Sequence, residues 1–417
     1  MVLLESNVLK RALTGIEYYT YVLGSFLQKE SELDMHFYYN LSPKQSIISK
    51  DMLTKDSFEY SENKIPKISS ANHHSQSFKS KIKNVIKKYP HLHKNATRLY
   101  KEYLSLKYQN SNIELSKGKM IDLFICPQPY TYTGVIATKG LRAKKRLACI
   151  HDLHHLHDYE TMLDTHMKSV CKDIDSVLLS TNHMKSFDEI VCFSHYVKRE
   201  IINYLGFKEN QVHVIYHGVR EIFKNPPLLE TTCFDLPKNF ILVVGYKSFR
   251  RNTKRLIQAF EKLPHSIKSS TKIVLTGTHS MQNDELALFL EKDFIINLGY
   301  VNDDELRYLY SKATLLWWGT LEEGFGYPMI EAFACNLPVL SSCTSCMPEI
   351  GGNAAYYCNP YDVEDIKNAL EELLEDETLR ESYAIKGAKR ALLFTEEKSL
   401  QKHLALIKRM VSEARAM

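Results

Sequence analysis

Short apolar runs alternate with stretches of helical period along most of the chain. In the first half the runs fall at 1–4, 35–39, 122–126, 146–152, 187–193 and 212–216; in the second they fall at 240–245, 272–277, 294–301, 313–318 and 339–342. Continuous rather than alternating apolarity marks strands buried on both faces, as in parallel sheets flanked by helices. Helical period is plain at Ile16, Tyr19, Leu23, Phe26 and Leu27, at Leu256, Ala259 and Phe260, and over 362–375, 378–393 and 398–417. The pattern predicts an α/β protein of two Rossmann-like, doubly wound domains facing across a cleft. The first domain is expected over 1–220, with an insertion at about 41–118 whose part 41–77 reads as loop. A linker at 221–238, marked by Pro226, Pro227 and Pro237, leads to a second domain over 239–397. The helix at 398–417 is expected to cross back to the first domain, and residues 347–352 read as a turn.

Composition narrows the class. A chain of 417 residues with a formal charge of +5 is long enough for two cores and too mildly basic for a nucleic-acid partner to be expected. Nine cysteines scattered through strands and helices, with no leader pattern, point to reduced thiols and a cytoplasmic protein. No run approaches the roughly 18 apolar residues of a spanning helix. The charge does cluster at 78–108, where nine Lys and Arg face a single Glu102 and Phe78, Ile82, Val85, Ile86 and Tyr89 form a stripe, with Leu99, Tyr103 and Leu106 starting a second. Two readings stand for this segment: a helix packed on the first domain, or a basic amphipathic helix lying on the inner face of the plasma membrane. No metal is expected. His154, His155 and His157 lack a supporting carboxylate or thiol set, and Cys343-x-x-Cys346 lacks a second ligand pair.

The chemistry centres on 322–336, Glu-Glu-Gly-Phe-Gly-Tyr-Pro-Met-Ile-Glu-Ala-Phe-Ala-Cys-Asn. Gly324 and Gly326 permit close backbone approach to a ligand. Pro328 suits a first helical turn, and a helix start offers N–H groups to phosphate. Glu323 and Glu331 bracket this seat with carboxylates that accept from sugar and ribose hydroxyls. Arg250 and Arg251, just past a buried strand, can neutralise a diphosphate. The Thr14-Gly15 turn and the strand end at His151 and Asp152 fall where doubly wound sheets place ligands. From residues alone this is a phosphate-binding α/β enzyme or binding protein.

The string from Glu323 to Glu331 resembles the Glu-x7-Glu motif of retaining glycosyltransferases of family 4, which have the GT-B fold and include mannosyltransferase-like enzymes of bacterial O-antigen and capsule synthesis. Thr14-Gly15-Ile16, Ile150-His151-Asp152-Leu153, Arg250-Arg251-Asn252, Gly299-Tyr300-Val301 and Met347-Pro348-Glu349-Ile350 resemble further motifs of that family. The resemblance implies transfer of a hexosyl group, mannosyl from GDP-mannose first and UDP-hexoses next, to a glycan or lipid-linked acceptor, with no cofactor beyond the nucleotide sugar. It implies catalytic roles for Arg250, Arg251, Glu323 and His151. Donor binding falls to Gly15, Tyr300, Val301, Gly324, Phe325, Gly326, Tyr327 and Glu331. The chain departs from the family pattern at Tyr18 and Arg251, where arginine and lysine are usual, and at His217 and Arg220, where Asn and Asp are usual. Another GT-B reaction (epimerisation or inverting transfer) and a non-catalytic nucleotide-binding subunit remain the alternatives.

Overall fold

The computed structural model describes residues 1–10, 15–42, 45–52, 93–130, 138–156, 174–224, 234–246, 248–277 and 290–417. Thr14, the stripe from Phe78 to Tyr89, His157, Pro226 and Pro227 lie outside the described residues. The first half contributes β1 (Val2–Glu5), β2 (Met35–Ser42), β3 (Gln45–Ser49), β4 (Leu123–Cys126), β5 (Lys145–Ile150), β6 (Glu189–Cys192) and β7 (Val212–Val214). These form one sheet in the order β3-β2-β1-β4-β5-β6-β7, antiparallel only between β2 and β3. The second half contributes β8 (Asn239–Val244), β9 (Thr271–Thr276), β10 (Ile295–Gly299), β11 (Leu315–Trp318), β12 (Val339–Ser342) and β13 (Tyr356–Cys358), all parallel, in the order β10-β9-β8-β11-β12-β13. In both sheets the order reverses beside the first strand, between β1 and β4 and between β8 and β11. Such a switch point opens a crevice past the strand ends where α/β proteins bind ligands.

The helices that matter below are α1 (Ile16–Leu27), α2 (His93–Leu115), α3 (His195–Glu200), α4 (Thr253–Glu261), α5 (Asp303–Lys312), α6 (Tyr327–Ala334), α7 (Met347–Gly351), α8 (Val363–Glu375), α9 (Glu377–Ala391) and α10 (Glu396–Ala416). Local chemistry sets several starts. Asn302 and Glu305 form a reciprocal capping box at α5 (3.0 and 2.7 Å), and Thr395 caps α10. Strand alternation sends Trp317 into a core shared with α4 and α8, and Trp318 to the opposite face, into a core that runs on through Phe325, Phe193 and Val219 to α1 and α10. The two domains therefore share one apolar cluster.

Two expectations are corrected and one strand is added. Residues 45–49 are a strand, not loop: Ile47 and Ile48 pair across to Tyr39 and Tyr38, and each packs against a core. Residues 347–351 form the short helix α7, which Pro348 suits by standing in its first turn. The strand Tyr356–Cys358, absent from the sequence reading, closes the edge of the second sheet. In α2 the two members of the second stripe whose side chains are described, Tyr103 and Leu106, are exposed. Leu106 is 53% exposed, whereas the polar Asn112 is fully buried and joins Tyr38 Oη to the Lys139 carbonyl.

The chain crosses between the domains twice. After β7, Val219 N donates to Phe394 O at 3.0 Å, so the outgoing and returning segments lie side by side. Helix α10 then packs on the first domain. Tyr19 Oη meets His403 Nε2 at 2.8 Å, Lys144 Nζ donates to Ala414 O at 2.9 Å, and Arg409 pairs with Glu189. At the crossing, a Cβ on Gly218 would stand 2.1 Å from Glu396 N, with backbone on both sides of the clash. Gly218→Ala should therefore destabilise by more than the roughly 1–3 kcal/mol typical of overpacking. Gly206→Ala, where the glycine has φ +76° but open space, should lose only about 1 kcal/mol. Denaturant midpoints compare the two; equal losses would mean the crossing yields easily.

Candidate active site

Two loops meet at the β8/β11 switch point. The loop after β8 carries Arg250 and Arg251 in a short 3-10 turn, and the loop after β11 carries Glu322 to Gly326 into α6. They are tied together: Leu321 N donates to Arg250 O at 2.8 Å, and Trp317 Nε1 donates to Arg251 O at 3.0 Å. Arg251 grips the Glu323 carboxylate, and its guanidinium carbon lies 3.9 Å from the Trp318 ring centroid. Glu323 N donates to Ser345 Oγ at 3.2 Å, and Cys346 Sγ donates to Glu323 O at 3.1 Å. Gly326 has φ +92°, a backbone that favours glycine, and turns the chain into α6, with Pro328 in its first turn.

The first domain closes the other side. A Cβ on Gly324 would lie 1.8 Å from His151 O, so only glycine lets the loop touch the end of β5. Ser194 caps α3 through Val197 N and donates its hydroxyl to Gly324 O at 2.7 Å. Asp152 accepts from Arg250 at 3.2 Å and holds His154 on its other oxygen. Glu349 of α7 accepts from His195 N (2.7 Å), Tyr196 N (3.1 Å) and Tyr216 Oη (3.0 Å), a carboxylate set at the start of α3. Arg220, at the end of the first domain, donates to Glu331 at 2.7 Å and to Asp303 at 2.9 Å. Tyr310 donates to the other Glu331 oxygen at 3.1 Å.

These surroundings set the charge states. Burial would raise the Glu323 carboxyl, but Arg251 and Arg250 beside it bring it below its ordinary value. Its neighbour Glu322 is pushed up to about 8, by burial first and then by Asp152. At neutral pH the pair thus presents one carboxylate and one carboxylic acid, an acceptor beside a donor. Burial lowers His151 to about 4, so its ring is neutral. With Nε2 3.1 Å from Pro127 O, the tautomer that donates there leaves Nδ1 as an acceptor. Arg251 Nε and Trp318 Nε1 are buried with no hydrogen-bond partner. Each such orphan donor costs about 1–3 kcal/mol until an acceptor arrives.

The structure thus brings Arg250, Arg251, Glu323, Gly324, Gly326 and His151 to one seam. Gly15 precedes α1, and none of the described residues lies within 4 Å of where its Cβ would stand. Tyr300 stands 54% exposed past β10, while Val301 packs against the core. The Phe325 and Tyr327 side chains turn into an aromatic cluster: Tyr327 stacks on His217 at 4.6 Å, and Phe325 meets His217 edge-on at 5.1 Å. Glu331 is almost wholly buried in its pair with Arg220. Cys343 and Cys346 are free thiols, and among the described residues no group of three or more His, Cys, Asp or Glu is arranged to hold a metal ion. Among the described residues no helix is long and apolar enough to cross a membrane. Sequence reasoning missed Trp318, Ser194, Ser345 and Glu349 as parts of the seam, and it noted Arg220 only as a departure. The apolar run at 313–318 was the one signal for Trp318.

The family model described as Glycosyltransferase Family 4 matches residues 72–221, and that described as Glycosyl transferases group 1 matches residues 230–390. Over 164 residues, 38% of this chain, the sequence is 32% identical to O-antigen chain mannosyltransferase B of Escherichia coli, and the match takes in 43% of that protein. Over 202 residues, 46% of this chain, it is 30% identical to the serotype-specific mannosyltransferase WbdA of Escherichia coli, of which 25% is matched. The match spans less than half the length of either relative. Sucrose-phosphate synthase from Thermosynechococcus elongatus superposes with a TM-score of 0.66 at 15% identity, covering 99% of both chains. WaaG, a glycosyltransferase involved in lipopolysaccharide biosynthesis, superposes with 0.62 at 14% identity, covering 98% of this chain and 99% of its own. Anabaena HepE in complex with UDP-glucose gives 0.55 at 16% identity over 73% of this chain and 82% of its own. At such identities the likeness is one of fold, and the fold is GT-B.

The Arg220–Glu331 pair generates a prediction. In Arg220→Met the Glu331 carboxylate is left buried without its cation, and stability at pH 8 should fall by about 3–5 kcal/mol. Burial already raises the Glu331 carboxyl above its ordinary value, with Arg220 opposing that rise. Without Arg220 the folded state binds the proton more tightly than the unfolded chain, so the deficit should shrink as pH falls from 8 to 5. Denaturant titrations at both pH values check this; a deficit independent of pH would show that the carboxylate has escaped to water.

Proposed function

The chain belongs to the glycosyltransferases that join a family 4 domain to a group 1 domain, and from that premise we propose that it transfers a hexosyl group from a nucleotide sugar to an acceptor hydroxyl with retention at the anomeric carbon. The observation that carries the reading is the placement of Arg250 and Arg251 over Glu323 at the β8/β11 crevice, beside the Gly326 turn into α6. The first donor choice is GDP-mannose, because both of the relatives named above are mannosyltransferases. A UDP-hexose is the second, because a protein of like fold was solved with UDP-glucose. The acceptor is a glycan or lipid-linked oligosaccharide of surface polysaccharide synthesis, of O-antigen or capsule type, as the relatives' names support.

In this reading Arg250 and Arg251 stabilise the departing diphosphate, helped by backbone N–H groups near Gly326 and Tyr327. Glu323, held as an anion, accepts from donor-sugar hydroxyls, and the neutral His151 faces the sugar from the first domain. Glu331 takes the ribose: each oxygen already accepts one bond, from Arg220 or Tyr310, and keeps a second lone pair. Tyr300 and Val301 line the base, and Gly15 faces donor phosphate and acceptor. The leaving phosphate takes the acceptor proton, and the two arginines do the work often given to a metal ion. The protein works at the cytoplasmic face of the membrane, with 78–108 as its contact; of that segment, 78–92 lie outside the described residues.

Thermal stabilisation by GDP, UDP and ADP without added metal tests the donor class. A nucleotide at about 100 times its dissociation constant should add roughly 2.7 kcal/mol, GDP most. Arg251→Ala should lower transfer by about 100-fold or more and still unfold cooperatively, at a lower midpoint because Glu323 loses its buried cation. Anomeric NMR of the product reads retention. Stabilisation by none of the three nucleotides would turn the reading toward a non-catalytic subunit.

A further inference from the structure

Arg251 stands where a lysine is usual, and its surroundings suit a planar cation rather than a point charge. The guanidinium carbon lies over the Trp318 ring, 3.9 Å from its centroid. One edge is gripped by Glu323, and its backbone carbonyl is pinned by Trp317 Nε1. Of the other two nitrogens, Nε is buried and without a hydrogen-bond partner. Among the described residues, the only heavy atom a Cβ on Gly245 would meet within 4 Å is this nitrogen, at 3.7 Å, so the space between them lies at the end of β8, in the switch-point crevice. Trp318 itself cannot swing. It is 1% exposed, and β11 is hydrogen-bonded on both sides, to β8 and to β12.

We propose that Trp318 is the positioning residue of Arg251: its indole face sets the plane of the guanidinium, so that the Nε–H is presented to a phosphate oxygen of the donor. The inference rests on the transferase reading above, which makes Arg251 a diphosphate contact. It also accounts for the residue at this position. An ammonium has no plane to set, whereas a guanidinium stacked on an aromatic face holds a fixed fork.

The test compares the full chain with Trp318→Phe, Trp318→Leu, Arg251→Lys and the Trp318→Leu/Arg251→Lys double variant. Three quantities are measured: transfer kinetics, affinity for GDP and UDP, and the Arg251 Nε–H resonance in an ¹⁵N spectrum, assigned by its loss in Arg251→Lys. In the unsubstituted protein that resonance should carry an upfield ring-current displacement. Trp318→Leu should abolish the displacement and lower kcat about tenfold, with a smaller change in donor KM, while Trp318→Phe keeps a flat face and should stay within about threefold. The double variant should be no worse than its poorer parent, because both changes remove one interaction. A folded Trp318→Leu protein with kcat within about twofold of the original and an unmoved resonance overturns the proposal, as do losses that multiply in the double variant. Should the leucine variant fail to fold, the spectrum of the unsubstituted protein decides, since a resonance without ring-current displacement overturns the stacking outright. If the protein neither binds a nucleoside diphosphate nor transfers sugar, the transferase reading fails and the proposal with it. An Arg251 resonance that still shifts in Trp318→Leu identifies that case as a failure of function rather than of geometry.

Discussion

The cleft depends on an atom that is missing: the Cβ of residue 324. With a hydrogen there, the backbone leaving β11 comes into contact with the carbonyl that ends β5, and Ser194 donates its hydroxyl to the same peptide. Any side chain would force the two domains apart at the point where their functional loops meet. Everything else in the seam is placed relative to this contact. Glu323 precedes it and turns to Arg251, Gly326 follows it and starts α6, and His151 and Asp152 are brought opposite as the continuation of β5.

Around that contact the charges come in matched sets. Arg250 has Asp152, Arg251 has Glu323, Arg220 has Glu331 and Asp303, and the start of α3 has Glu349. Two of these sets, and the Glu349 contact, join one domain to the other. A buried pair adds little net stability over apolar packing of the same shape, but half of one is strongly destabilising. The seam is therefore specified more by electrostatic fit than by attraction, while the shared apolar cluster through Phe193, Val219 and Phe325 supplies its cohesion.

Much of this was legible in the sequence, for physical reasons. Strands of a parallel sheet are buried on both faces, so β4, β5, β8 and β11 announce themselves as apolar runs. The strands that escaped notice lie at sheet edges. Gln45–Ser49 has only two apolar residues between polar ones, and Tyr356–Cys358 is three residues long. Glu323, Gly324 and the arginines were legible because backbone turns and charge near strand ends follow local rules. Arg220 and Glu349 were not, because each acts on the opposite domain and nothing in its own neighbourhood of sequence says where that domain will be. Trp318 was hidden differently. An apolar run states that a residue is buried, and it does not state that the neighbour on the ring is a cation.

The double crossing also bears on how the molecule is made. Helix α10 follows the whole second domain in sequence, yet it supplies His403 to Tyr19 on α1 and the Ala414 carbonyl to Lys144. On the ribosome, domains tend to fold as they emerge, first half first. Here the early domain lacks part of its covering until the second domain and α10 have been synthesised. The apolar face that α10 later hides, including the side of Tyr19, stays open to other proteins for that interval. Final assembly of the first domain and docking of the second thus become one event, timed by the emergence of α10.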